Sequence, residues 1–178
     1  MDPHGELEAL MAGYQKGDSE AAAALIERVS PALHRFFLAQ VTSRRDADDL
    51  LQETWLRLHQ VRHTYRPGEP VLPWLYAIAR HIRVDHFRRT RRKEAREQQV
   101  AELPERPEIS ARASGSPDVD GALRQLPESQ REVIMMLKVS GLSLEEVARA
   151  TQSSVGSVKQ KAHRAYEKLR ELLAGERR

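Results

Sequence analysis

Two sets of side chains in this 178-residue sequence have the types and spacing to act on a partner rather than only to fold. In the first, Tyr76, Arg80, Arg83, Phe87 and Arg91 recur every three to four residues, which lines rings and guanidinium groups along one side of a helix. Rings that stack on bases, interleaved with cations that follow phosphates, hold single nucleic-acid strands. In the second set, Ser157, Lys159, Gln160, His163 and Arg164 lie opposite an apolar stripe. Gln can pair with an adenine edge and Lys can donate to guanine, each good contact contributing about 1–3 kcal/mol of discrimination. Lys161, Arg164 and Lys168 suit phosphate. The bland reading of both sets is a solvated helix face, and for the arginine run also a docking face for acidic protein.

A third cluster, Asp46, Asp48, Asp49 and Glu53 with His59 and His63, invites a metal or nuclease reading. A helical Glu-x-x-His site would need a histidine at position 56, where Leu56 stands, and no glycine loop accompanies the cluster to cradle phosphate. No metal site, catalytic residue or cofactor is therefore assigned. Asp49, Gln52, Glu53 and Leu56 instead form an outward face that fits a protein with a basic groove, while dipole compensation at a helix start is the bland alternative.

Helical periodicity dominates the whole chain, and Pro and Gly fall between the periodic stretches, so the fold expected is all-α. A first helix covers about Leu7 to Lys16, and Gly17-Asp18 breaks it and caps the next at Ser19. Ser30-Pro31 reads as a second helix start. Asp46 is the expected cap of a helix to about Gln60, with Ala47, Leu50, Leu51, Thr54, Trp55 and Leu58 inward. A Pro/Gly loop follows from Val61 to Leu72, and a helix resumes at Pro73 with Trp74, Leu75, Ile78 and Ile82 on the core side. Asp85 lies four residues before Arg89 and is expected to pair with it.

Residues 94–121 lose periodicity and collect proline, serine and glycine, which reads as a flexible linker between two small helical domains, 1–93 and 122–178. In the second, Pro127 opens a helix that turns Val133, Ile134 and Leu137 inward and ends at Gly141. Ser143-Leu-Glu-Glu146 has the capping-box pattern, and Gln152-Ser-Ser154 turns into a last helix with Val155, Val158, Ala162, Ala165, Leu169 and Leu172 inward. Helix, turn, short capped helix, turn and polar-faced helix make a helix-turn-helix.

Charge is segregated rather than large. The chain has 29 basic and 26 acidic residues, yet residues 76–93 carry seven Arg/Lys against one Asp and residues 94–132 carry nine acidic against five basic. With no cysteine, disulfides and thiolate metal sites are excluded. No run approaches a membrane span or a signal peptide, so a cytoplasmic protein without membrane insertion is expected.

Asp46-Ala-Asp-Asp-Leu-Leu-Gln-Glu-Thr-Trp-Leu56, Pro73-Trp-Leu-Tyr-Ala-Ile-Ala-Arg80 and Asp85-His-Phe-Arg-Arg89 together resemble the promoter-melting domain of extracytoplasmic-function bacterial sigma factors. Leu126-Pro-Glu-Ser-Gln-Arg-Glu-Val-Ile134, Leu142-Ser-Leu-Glu-Glu-Val-Ala148 and Gly156-Ser-Val-Lys-Gln-Lys-Ala-His-Arg-Ala165 look like that family's −35-reading domain. The resemblance implies a promoter-specificity subunit with no catalysis of its own. It also implies that Asp49, Gln52, Glu53 and Leu56 dock on the β′ clamp coiled coil of core RNA polymerase, with the β flap as a further partner surface. Arg62, Tyr65, Arg66, Tyr76, Arg80, Arg83, Phe87 and Arg91 would then contact the −10 element, with the 62–72 loop accepting a flipped base. Ser157, Lys159, Gln160, His163 and Arg164 would contact the −35 element. The last residues leave no room for the extra C-terminal domain of some subgroups, so an anti-sigma protein is the regulator implied. Gln160 and Lys161 depart from the Ser and Arg of many relatives, so contacts can be named but not bases. The competing reading is a helix-turn-helix regulator that binds duplex operators without polymerase.

Overall fold

The computed structural model describes residues 3–98 and 117–175. These residues form helices and turns with no strand among them, in agreement with the expected all-α class. Most of the linker expected over 94–121 lies outside the described residues. Of its flanks, residues 94–98 continue a helix and residues 117–121 already begin the next.

The first half holds α1 (Pro3–Gln15), α2 (Ser19–Gln40), α3 (Arg44–Val61), a 3-10 turn at Arg62–Thr64 and the long α4 (Val71–Gln98). Gly17 at φ +90° makes the break before α2, and the Asp18 carboxylate accepts from the amides of Glu20 and Ala21 at 2.9 and 3.1 Å. The second helix start expected at Ser30-Pro31 does not occur, because α2 runs straight through Pro31. Val29, Leu33, Phe36 and Phe37 are all buried on one side of it, and that packing outweighs the missing proline N–H. Ser30 has another role: its hydroxyl accepts from the Trp55 indole at 3.0 Å. Ser43, not Asp46, caps α3, its hydroxyl accepting from the Asp46 amide at 3.2 Å while Asp46 sits in the first turn. Helix α4 begins two residues ahead of Pro73, whose lack of N–H costs nothing in a first turn.

The second half holds α5 (Pro117–Arg124), α6 (Glu128–Ile134), a π turn at Met135–Val139, α7 (Leu144–Thr151) and α8 (Val155–Gly175). The wide π turn closes through the amides of Ser140 and Leu142, which donate to the carbonyls of Met135 and Met136 at 3.2 and 3.1 Å. It buries both methionines, and Gly141 at φ +68° then redirects the chain. The capping box forms: the Glu146 amide donates to Ser143 Oγ at 3.2 Å, and the Ser143 amide to the Glu146 carboxylate at 2.7 Å. Replacing Ser143 by alanine is expected to cost about 1 kcal/mol, read as a lower melting temperature with unchanged helix content.

The halves pack together. Helix α4 lies against α7, and α2 lies against α5, α6 and the π turn. A continuous apolar core runs from Met11, Leu25 and Phe36 through Tyr76 to Met136, Val147 and Ala165.

Candidate nucleic-acid and polymerase interfaces

On α3 the inward side is Ala47, Leu50, Thr54 and Leu58, which leaves Asp49, Gln52 and Leu56 exposed on the other; Leu56 is 59 % exposed, unusual for a leucine. Glu53 lies beside them and accepts two bonds from Arg89 Nη2, at 2.9 and 3.2 Å, while Arg89 Nε donates to the Asp85 backbone carbonyl at 3.4 Å. Arg89 thus does not pair with the Asp85 carboxylate as expected. That carboxylate faces His81 at 3.2 Å and Arg88 at 3.8 Å. The four residues Asp49, Gln52, Glu53 and Leu56 remain one contiguous outward face.

The α4 stripe is a different case. Tyr76 and Arg83 are 0 % and 2 % exposed, not displayed on an open surface as the spacing implied. The physical reason is a cover that comes from the second half of the chain. Arg83 pairs with Glu128 and, at 3.1 Å, with Glu132; Arg80 also reaches Glu132 at 3.1 Å. Ser140 donates to the Tyr76 hydroxyl, whose pKa burial pushes up to about 12, so the phenol stays protonated. The Tyr76 ring meets Phe36 edge-on, centroids 5.3 Å apart. Phe87 is half-buried under the Arg83 guanidinium at 5.7 Å, and Arg91 is exposed.

Arg131, which the sequence reading passed over, ties the halves at a second point. Its guanidinium donates to the Ala39 carbonyl at 2.9 Å, and also to those of Arg124 and Leu126. Burial pulls its pKa down. Arg149 on α7 approaches Glu69 in the 62–70 loop at 3.5 Å.

That loop borders a cleft of about 380 Å³ lined by Tyr65, Arg66, Glu69, Trp74 and, from α7, Arg149. Tyr65 itself is only 3 % exposed, its ring tilted against Trp74 at 5.4 Å, so most of it serves as the floor. Burial, then Glu8 and Glu69, raise its pKa to about 12. Arg66 is exposed and Arg62 half-buried, stacked over the Tyr14 ring at 5.8 Å.

On α8 the expected division of faces holds. Val158, Ala162 and Ala165 are buried, while Lys159, Gln160, His163 and Arg164 are exposed and Ser157 is half-exposed. His163 faces Glu167 at 3.4 Å. Gln152, left-handed at φ +52°, sets the turn that delivers this helix from α7.

Both halves of this arrangement have counterparts among known proteins. The family described as Sigma-70 region 2 matches residues 25–93, and Sigma-70, region 4 matches residues 118–169. The RNA polymerase sigma factor CarQ of Myxococcus xanthus is 34% identical over 92% of this chain and 95% of its own. The ECF RNA polymerase sigma factor SigF of Caulobacter vibrioides is 30% identical over 97% and 96%. The chain belongs to the ECF sigma factors. A crystal structure of the sigma factor RpoE in complex with the anti-sigma factor NepR, from Bartonella quintana, superposes with a TM-score of 0.67 at 30% identity, covering 84% of this sigma factor and 94% of RpoE. Sigma factors are transcription initiation factors rather than enzymes, and their regions 2 and 4 bind core RNA polymerase and promoter DNA. The operator-binding regulator gives no account of a region 2 and is set aside. No described helix of this sigma factor is long and apolar enough to cross a membrane.

Proposed function

We propose the following division of labour for this sigma factor. Asp49, Gln52, Glu53 and Leu56 on α3 dock on the β′ clamp coiled coil, and region 4 meets the β flap. Arg62, Tyr65, Arg66, Tyr76, Arg80, Arg83, Phe87 and Arg91 serve the −10 element, with the 62–70 loop and its cleft taking an unstacked base. Ser157, Lys159, Gln160, His163 and Arg164 serve the −35 element. The domains divide at a linker within 94–121, and the protein acts in the cytoplasm, where polymerase is.

The observation that carries this reading is the separation of faces: an acidic, partly apolar face on α3 and a polar face on α8 are both left open on one chain. The −10 assignments carry a condition. Helix α6 occupies the Arg80 and Arg83 guanidinium groups with carboxylates, so a phosphate backbone and α6 exclude each other there. The strand contacts therefore form only once α6 leaves α4. That an anti-sigma protein holds the chain back is supported by its likeness to RpoE in complex with NepR.

Run-off transcription with core polymerase tests the whole. Promoter-dependent product on adding this chain supports it, and tight duplex footprints without polymerase contradict it. Within that assay Gln160→Ala is expected to keep core affinity and to lower selectivity at one −35 base pair about tenfold, the scale of a lost bidentate contact.

A further inference from the structure

Helix α1 lies outside the segment that matches Sigma-70 region 2, yet three of its side chains end on the loop beside the cleft. Gln15 Nε2 donates to the carbonyls of Arg62 and Tyr65, at 2.6 and 2.8 Å. Those two carbonyls bracket the 3-10 turn with which the loop begins. At the loop's other end, where α4 starts, the Val71 amide donates to a Glu8 carboxylate oxygen at 3.2 Å. Tyr14 completes the set: its hydroxyl is 2.7 Å from His59 Nδ1, and its ring lies under the Arg62 guanidinium.

The loop's internal bonds are short-range. Tyr65 donates its hydroxyl to the Glu69 carbonyl at 2.5 Å, and the Glu69 amide donates to the Arg66 carbonyl at 3.1 Å. They curl the loop on itself but do not fix it to the helices behind. Among the described side-chain bonds, those from Gln15 and Glu8 anchor its two ends to α1. Pro67 and Pro70 narrow the backbone choices of this loop, but Gly68 at φ +91° and the remaining residues leave several, and recognition by a cleft edge improves when these are reduced before the ligand arrives.

We propose that Gln15, aided by Glu8, is a positioning residue for −10 base capture: α1 braces both ends of the 62–70 loop so that Arg66, Glu69 and Trp74 stand ready around the unstacked base. This rests on the reading that the cleft takes that base. Gln15 touches no DNA. It acts through the carbonyls of Arg62 and Tyr65, and what it supplies is shape rather than a contact.

The test uses holoenzyme on fork-junction DNA carrying the promoter mapped by run-off transcription. 2-Aminopurine replaces each −10 base of the non-template strand in turn, and its fluorescence rises where a base leaves the stack. The wild-type chain is expected to give such a signal at one position or more. Gln15→Glu keeps the side-chain shape and removes the donor. It is expected to lower that signal and to cut discrimination at the same position about tenfold, the scale of one or two net hydrogen bonds. Affinity for core polymerase and for −35 duplex should stay as in wild type. Gln15→Lys, which can again donate to both carbonyls, should restore part of the selectivity. Gln15→Ala provides the same reading should the glutamate variant fold poorly. Full signal and unchanged base discrimination in Gln15→Ala overturn the brace while leaving base capture intact. No signal at any position in the wild-type holoenzyme overturns base capture itself, and the brace with it.

Discussion

Glu132→Ala is expected to open the molecule. Arg83 is 2 % exposed and Glu132 is 3 % exposed, so removing the carboxylate leaves a buried guanidinium with Glu128, itself about half-exposed, as its remaining ion-pair partner beside the Phe87 ring. Breaking a buried pair from one side costs about 3–5 kcal/mol, and the remaining Glu128 contact puts this case near the lower end. Even about 3 kcal/mol shifts an equilibrium more than a hundredfold, which is large against an interface that also buries poorly satisfied polar groups. Gln40 is 4 % exposed with neither amide atom within hydrogen-bond reach of a protein group, and Arg83 Nε and Arg131 Nε are in the same position.

Small-angle scattering should therefore show a radius of gyration clearly above the roughly 16 Å of a compact chain of this length. Affinity of the free chain for a −10 single strand should rise, since the closed fraction no longer discounts it. A double variant, Arg83→Met with Glu132→Leu, separates this account from a general loss of fold. An apolar pair of similar volume is neutral or stabilising in such a place, so the double variant should remain closed and bind the strand poorly. Identical scattering from Glu132→Ala and wild type would show that the ion pair does not hold the halves together.

That interface also marks where the sequence stopped being informative. Local chemistry reads well from local residues: Gly17-Asp18 and the Ser143/Glu146 box end and start helices through bonds spanning two to three residues, and both form as expected. Asp46 misled because Ser43, three residues earlier, competes for the same role and takes its amide. Ser30 misled because its partner, Trp55, stands 25 residues away. On α4 the spacing puts Tyr76 opposite the core, whereas its ring is buried against Phe36 of its own half. The polar groups that close over the Tyr76 hydroxyl and the Arg83 guanidinium come from residues 45 to 64 positions later, and nothing near position 80 announces them. A weak signal did exist: Glu128 and Glu132 stand one helical turn apart in the acidic stretch, complementary to the basic run. For Gln15 and Glu8 there was none, since a glutamine bonding two carbonyls 47 and 50 residues away leaves no periodic trace.

Glu53→Arg is expected to abolish productive binding to core polymerase. The proposed docking face joins three polar or acidic groups to Leu56, and an exposed leucine beside carboxylates fits a partner surface that has both an apolar pocket and cations. Truncating a central residue of such a face costs about 2 kcal/mol or more, and placing a like charge against a basic groove adds repulsion. A fall in affinity of at least about thirtyfold should follow. Leu56→Ser should lose about tenfold, the scale of one leucine left unburied.

Glu53 also binds Arg89, so a structural explanation has to be separated from docking. The pair is exposed on both sides, and surface pairs contribute about 0–1 kcal/mol, so the melting temperature should change little. Arg89→Ala should leave core affinity intact, because it frees the Glu53 carboxylate rather than removing it. The decisive variant is Glu53→Arg combined with Arg89→Glu, which rebuilds the ion pair in reverse. If Glu53 serves polymerase, this double variant still fails to bind core. If it recovers binding, Glu53 matters only for holding α3 to α4, and the docking face must be sought elsewhere on the chain.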